Sequence, residues 1–260
     1  MSAATAIQTL PVLEMRGAAV TSQRDADVVT VAEVNWSAAA GDFWVIGGPL
    51  GSGKSDLLML AGGLTSPAAG GCSFYGRELP IFEDENLAER LRLGYVFDGG
   101  QLFNLLTVAE NIALPLRYHK NLTDAEADQR VRRMLDATEL GPWAGSTPGA
   151  ITRAWRKRAG LARAMMLQPE VLLLDNPLAG LDARHRNWWL NFLDGLSRGG
   201  ELTNSKPLTL VATADDFRPW RNVARQFAIL KNQRLTVLGN REQVEAVSDK
   251  LELSAEPPDV

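Results

Sequence analysis

Residues 48–55 read Gly48-Pro49-Leu50-Gly51-Ser52-Gly53-Lys54-Ser55, and this octet decides the fold. It fits G-x-x-x-x-G-K-[ST], the phosphate-binding P-loop. The glycines let the chain curl without Cβ clashes, so that successive backbone N–H groups face one concavity. A helix that begins at this point aims its partial positive charge at the same place. Lys54 is spaced to reach β- and γ-phosphates, and the Ser55 hydroxyl to ligate Mg²⁺. The flanks agree. Phe43-Trp44-Val45-Ile46 predicts a buried strand, and Ser55-Asp56-Leu57-Leu58-Met59-Leu60-Ala61 an apolar helix. Residues 48–55, with Asp56 in the first helical turn, are therefore the candidate nucleotide-binding residues.

Outside the octet, 260 residues suit one large domain or two small ones. A net charge of −4 gives no reason to expect a nucleic-acid partner. Cys72 is the only cysteine, which excludes an intrachain disulfide and suits a reducing compartment. No run approaches the ~20 apolar residues of a membrane span, and the first fifteen residues lack the basic region of a secretory signal. A cytoplasmic protein is expected. If it works at a membrane, it does so by docking on another chain.

Strands are expected at 12–20, 28–36, 72–75, 93–97, 171–174 and 208–212, with a closing hairpin at 227–230 and 234–238. Residues 62–71 read as a loop. Helices are expected at 84–92, 107–114, 124–140, 151–167 and 184–196. The helix at 151–167 carries Arg153, Arg156, Lys157, Arg158 and Arg163, which read as a solvated basic face. On the helix at 184–196, Trp188, Trp189, Phe192 and Leu193 are the candidate core. The alternation of strands and helices predicts an α/β fold with a mainly parallel sheet covered on both faces. Residues 1–250 are read as a single domain, and the acidic, proline-containing tail at 251–260 as disordered.

A P-loop needs a carboxylate partner for its cation. Four aliphatics end at Asp175, which places it at the C-terminal edge of a buried strand, where open sheets bind ligands. Ser55 and Asp175 are the candidate Mg²⁺ ligands.

With these elements placed, nearly the whole chain resembles the ATP-binding subunits of ABC transporters. Within that family it is similar to the ATPases of the MCE-type lipid transporters, such as the maintenance-of-lipid-asymmetry system. The stretch carrying this likeness runs Gly94-Tyr95-Val96-Phe97-Asp98-Gly99-Gly100-Gln101-Leu102-Phe103 and continues as Thr107-Val108-Ala109-Glu110-Asn111-Ile112-Ala113-Leu114-Pro115-Leu116-Arg117. The resemblance implies a P-loop NTPase (RecA-like) core, an antiparallel β-subdomain and an inserted helical subdomain, about 98–164, that touches a permease. It further implies ATP and Mg²⁺ as cofactors, a second ATPase subunit, an MCE-domain lipid-binding partner, and a place on the cytoplasmic face of a bacterial inner membrane.

The departures from the family pattern are informative. Where the family has a glutamine that reaches Mg²⁺, this chain has Asp98. Where a glutamate polarises the attacking water, it has Asn176, whose amide orients a water but cannot take its proton. Where a histidine contacts the γ-phosphate, it has Ala214. The family's signature glycines fall at Arg153 and Ala154, preceded by Thr152. The adenine-stacking aromatic falls at Val20. Gln101, three residues on, is the alternative candidate for the missing glutamine, while His185 lies on the helix after the Asp175 strand, where neither strand nor spacing suits the missing histidine. The expectation is a subunit that binds Mg-ATP and hydrolyses it weakly or not at all. The alternatives are a working ATPase of a lipid or organic-solvent transporter and a non-enzymatic scaffold that uses ATP to dimerise.

Overall fold

The computed structural model describes residues 10–25, 27–79, 87–120 and 122–244. The expected tail at 251–260 and the first residues of the helix expected at 84–92 lie outside them.

The strands form two sheets. Five strands, β3 (Phe43–Gly47), β6 (Leu93–Val96), β7 (Val171–Leu174), β8 (Thr209–Ala214) and β9 (Gln226–Lys231), run parallel, and β10 (Arg234–Gly239) pairs antiparallel with β9 at one edge; the order is β10-β9-β3-β8-β7-β6. The second sheet is antiparallel, with β1 (Leu13–Thr21), β2 (Val29–Ala38), β4 (Ala69–Phe74) and β5 (Arg77–Glu78) in the order β2-β1-β4-β5. The helices are α1 (Lys54–Ala61), α2 (Leu87–Arg90), α3 (Val108–His119), α4 (Asp124–Ala137), α5 (Arg153–Met165) and α6 (Ala183–Arg198).

Alternation along the central strands sorts their side chains between two cores, because successive strand residues point to opposite faces. Phe43, Val45, Leu172, Leu174, Leu210 and Ala212 enter one core with residues of α3–α6. Trp44, Ile46, Val171, Leu173 and Val211 enter the other with α1 and the antiparallel sheet. The central strands are thus buried on both sides, as their unbroken aliphatic runs require.

Local chemistry sets the ends of the helical insertion. Thr107 and Glu110 form a capping box, in which Glu110 N–H donates to Thr107 Oγ1 at 3.2 Å and Thr107 N–H to Glu110 Oε2 at 2.7 Å. Thr123 and Glu126 repeat it at the start of α4. Each cap contributes about 1 kcal/mol. Buried Asn111 anchors the preceding loop, its amide donating to the carbonyls of Phe103, Leu106 and Thr107 at 3.0–3.2 Å.

The structure differs from the sequence reading at several points, among them the end of α4 at Ala137 rather than 140 and the unexpected strand β5. β4 starts at Ala69, inside the expected loop, because it pairs with β1 from Ala19 onward. Helix α3 runs through Pro115 to His119 instead of ending at Leu114, with Val108, Ile112 and Leu116 held in the core. The expected basic face of α5 is solvated at Arg153 but not at its centre. Lys157 and Arg158 are each only 1% exposed and are neutralised by partners from other elements.

Candidate functional site

At the C-terminal ends of β3, β7 and β8 the chain opens into a cleft of about 920 Å³. Leu50, Gly51, Ser52, Gly53, Lys54, Ser55 and Asp56 line it, and so do Asp98, Asp175 and Asn176. Gly48 and Pro49 turn their carbonyls to Lys54, whose Nζ donates to them at 2.7 and 2.8 Å. Gly53, at φ 93°, takes the left-handed conformation that starts α1. A Cβ there would also press on Thr30 and Val31 at 3.0 Å, which fixes glycine on two counts. The Ser52 hydroxyl oxygen is buried and has no hydrogen-bond partner among the described residues.

Ser55 Oγ donates to Asp175 Oδ1 at 2.9 Å, and Thr213 Oγ1 donates to the same oxygen at 2.9 Å. Burial pushes the Asp175 carboxyl above its ordinary value, and these two bonds only partly offset it. A divalent cation at this pair would restore the charged form. Among the described residues no group of three or more His, Cys, Asp or Glu side chains gathers. A hard cation held by one hydroxyl and one carboxylate must therefore complete its shell with nucleotide oxygens and water, as Mg²⁺ does. The donor set fits Mg-nucleotide.

Asn176, at φ 42°, follows Asp175 in a left-handed turn that asparagine tolerates. Its N–H donates to Thr213 Oγ1 at 2.8 Å and its side-chain amide to Asp215 Oδ2 at 2.9 Å. Asp215 also stands 3.1 Å from Lys54 Nζ. The sequence reading missed Asp215. The one signal was a charged residue directly after a buried strand, next to Ala214. Ala214 itself is buried at the end of β8 and is not among the residues lining the cleft.

Asp98 lines the same cleft, but its bonds go to cations rather than to Ser55 or Asp175. It pairs with Lys157 Nζ at 2.8 Å and accepts from Arg153 Nη2 at 2.7 and 2.8 Å. Burial alone would raise its pKa, but the bonds to Lys157 and Arg153 hold it below the ordinary carboxylate value. Burial in turn lowers Lys157 against the pull of Asp98. The same ammonium donates to the carbonyls of Asn176 at 2.7 Å and Ala179 at 3.0 Å, so α5 grips the loop after Asp175. Gly100 and Gly160 let the two segments touch. A Cβ on Gly160 would lie 2.7 Å from Gly100 Cα, and one on Gly100 2.2 Å from the Arg156 carbonyl oxygen.

The remaining candidates sort as follows. Thr152 caps α5 without a side-chain bond, and Arg153 and Ala154 open its first turn. Gln101 lines the cleft mouth. His185 is not among the cleft's lining residues; its Nδ1 is 3.1 Å from Arg158 Nη2 and its ring lies against Trp155. Val20 is 2% exposed inside the core of the antiparallel sheet and cannot meet a base. On that side the cleft is lined instead by Ser22, Gln23, Arg24 and Thr30.

A second concavity, about 430 Å³, lies between the Asp98 loop and α3. Phe97, Phe103, Leu114, Pro115 and Tyr118 line it, and Phe103 and Tyr118 are 58% and 78% exposed. Among the described residues no helix is long and apolar enough to cross a membrane.

The family model for ABC transporters matches residues 31–179. The chain is 34% identical over 215 residues to a sulfate/thiosulfate import ATP-binding protein of Caulobacter vibrioides, over 82% of this chain and 60% of the relative. It is 32% identical over 197 residues to a probable protein of the same kind from Chlorella vulgaris, over 76% and 79%. It is 29% identical over 219 residues to the intermembrane phospholipid transport system ATP-binding protein of Haemophilus influenzae, over 84% and 81%. The chain spans 58–60% of the length of several of the sulfate relatives. Among solved structures, a dimeric ATP-binding cassette bound to ADP and phosphate superposes with a TM-score of 0.76 at 26% identity, over 86% of this chain and 96% of that one.

Proposed function

The chain belongs to the ABC transporter family, and we propose that it is an ATP-binding subunit that holds Mg-ATP and hydrolyses it weakly or not at all. The observation that carries this reading is the 2.9 Å contact of Ser55 with Asp175 in the same cleft as Lys54, followed directly by an amide at Asn176. Lys54 binds the phosphates, Ser55 and Asp175 hold the cation, and Asn176 orients water without accepting its proton. ATP in this site supplies a charged ligand able to join two subunits across the phosphate face.

The proposed partners are a permease and a second ATPase subunit, with the chain peripheral on the cytoplasmic face of a bacterial inner membrane. The exposed apolar groove with Phe103 and Tyr118 is the proposed permease contact, since patches of this kind mark interaction sites. A lipid or organic-solvent cargo, and with it an MCE-domain partner, rests on the stretch 94–117 and on the phospholipid relative. In a homodimer, Asn176 and Ala214 would meet Thr152, Arg153 and Ala154 at both sites. A heterodimer with an intact partner confines turnover to the partner's P-loop, and we favour it for that reason. Lysine-to-alanine changes in each P-loop of the co-purified complex test this. Loss of all hydrolysis through Lys54→Ala, with the partner's lysine dispensable, would reverse the assignment.

A second reading, a working ATPase, draws on Gln101 at the cleft mouth.

A further inference from the structure

The Lys54 ammonium has three donors, and the chain itself engages it on three sides. Two go to the carbonyls of Gly48 and Pro49, at 2.7 and 2.8 Å, and the third faces Asp215 Oδ1 at 3.1 Å. The first two partners belong to the loop whose N–H groups cradle the inner phosphates. Asp215 follows the end of β8, the strand next to β3, and its other oxygen is held by the Asn176 amide at 2.9 Å. Lys54 reaches the β- and γ-phosphates. Of the three contacts, only that with Asp215 comes from outside the loop, and it is the one a terminal phosphate would have to replace.

We propose that Asp215 occupies the γ-phosphate position in the nucleotide-free chain and so sets the preference between triphosphate and diphosphate. This rests on the reading of the cleft as a nucleotide site. Two anions cannot share the third donor without repulsion, so ATP has to displace the carboxylate while ADP leaves it on Lys54. The ion pair is shielded on the lysine side, where the side chain is 8% exposed, and open on the aspartate side, at 48%. Asp215 can thus swing into solvent without disturbing the core. The pairing also accounts for the amide at position 176. A glutamate there would set a second carboxylate against Asp215, whereas asparagine donates to it.

The test is calorimetric titration of the whole chain with Mg-ATP and with Mg-ADP, using the wild type, Asp215→Asn and Asp215→Ala. Asn keeps the size and removes the charge; Ala removes both. The expected result is a gain in ATP affinity of about tenfold or more in both variants, with ADP affinity changed by less than about threefold. Unchanged ATP affinity, or an equal gain for ATP and ADP, overturns the proposal and leaves the nucleotide site standing. If neither wild type nor variants bind either nucleotide at millimolar concentration, the nucleotide-site reading falls and takes the proposal with it. ATP binding by the variants alone would support it in its strongest form.

Discussion

Asp98 accepts two hydrogen bonds from one nitrogen of Arg153, Nη2, at 2.7 and 2.8 Å. The two side chains come from separate segments of the chain, and each is the other's partner. The aspartate is tied to this arginine, and the arginine is held within its own chain. The Arg153 and Asp98 side chains are 51% and 39% exposed, so the Arg153 contact should contribute little, below about 1 kcal/mol. Buried Lys157 is different. Its removal takes one cation from Asp98 and leaves the carbonyls of Asn176 and Ala179 without their buried donor. Lys157→Met should cost about 3 kcal/mol in urea denaturation, well beyond Arg153→Ala. Equal costs would contradict this division of roles.

Nucleotide affinity should depend on charge more than on the base. Lys54→Ala is expected to weaken Mg-ATP binding by about 1.5–3 kcal/mol, read by calorimetry. The base side of the cleft carries Ser22, Gln23, Arg24 and Thr30, with no aromatic ring among them. Competition between ATP and GTP should accordingly show less adenine selectivity than a stacking ring confers. A preference of a hundredfold or more for ATP would show that another group recognises adenine.

Asn176→Glu should restore little hydrolysis. The new carboxylate would meet Asp215, and the Asp98 and Ala214 positions would still lack their family groups. Effects at residues that act as a unit are not additive. A steady-state assay in which this single change raised turnover a thousandfold would overturn the assignment of Asn176, Asp98 and Ala214 as jointly limiting.

His185 gives a pH signature. Arg158 can only donate, so Nδ1 accepts and the ring is neutral. Burial, aided by the charge of Arg158, lowers its pKa below the ordinary 6.5. A depressed folded value means that its stabilisation is complete above the unfolded pKa and is lost as pH falls through the folded one. Tm should therefore drop as pH falls below about 6.5, and drop less in His185→Asn, which keeps an acceptor without the titration. Parallel Tm profiles for the two proteins would rule His185 out as the cause.

The phosphate loop and the Asp175 strand were legible because each is a local pattern. The octet carries its own backbone requirements, and four aliphatics before an aspartate read as a buried strand end. What could not be read depends on partners distant in sequence. Arg158 looked solvated until Glu139 at 2.7 Å and the Trp188 ring at 3.8 Å closed over it. Lys157 needed Asp98 from another segment. Val20 was placed by register alone, and the irregular pairing of β1 with β2 and β4 sends it into the core. Asp215 stayed invisible because its partners, Lys54 and Asn176, follow different strands that meet only in the folded sheet.

The most direct test of the account is steady-state ATP turnover by the purified chain, measured beside its Lys54→Ala variant under conditions where calorimetry shows Mg-ATP bound. A missing general base costs about 10²–10⁴-fold, roughly 3–5 kcal/mol of barrier. The account predicts saturable ATP binding with turnover at least a hundredfold below about 1 s⁻¹. Turnover near 1 s⁻¹ that Lys54→Ala abolishes would contradict it.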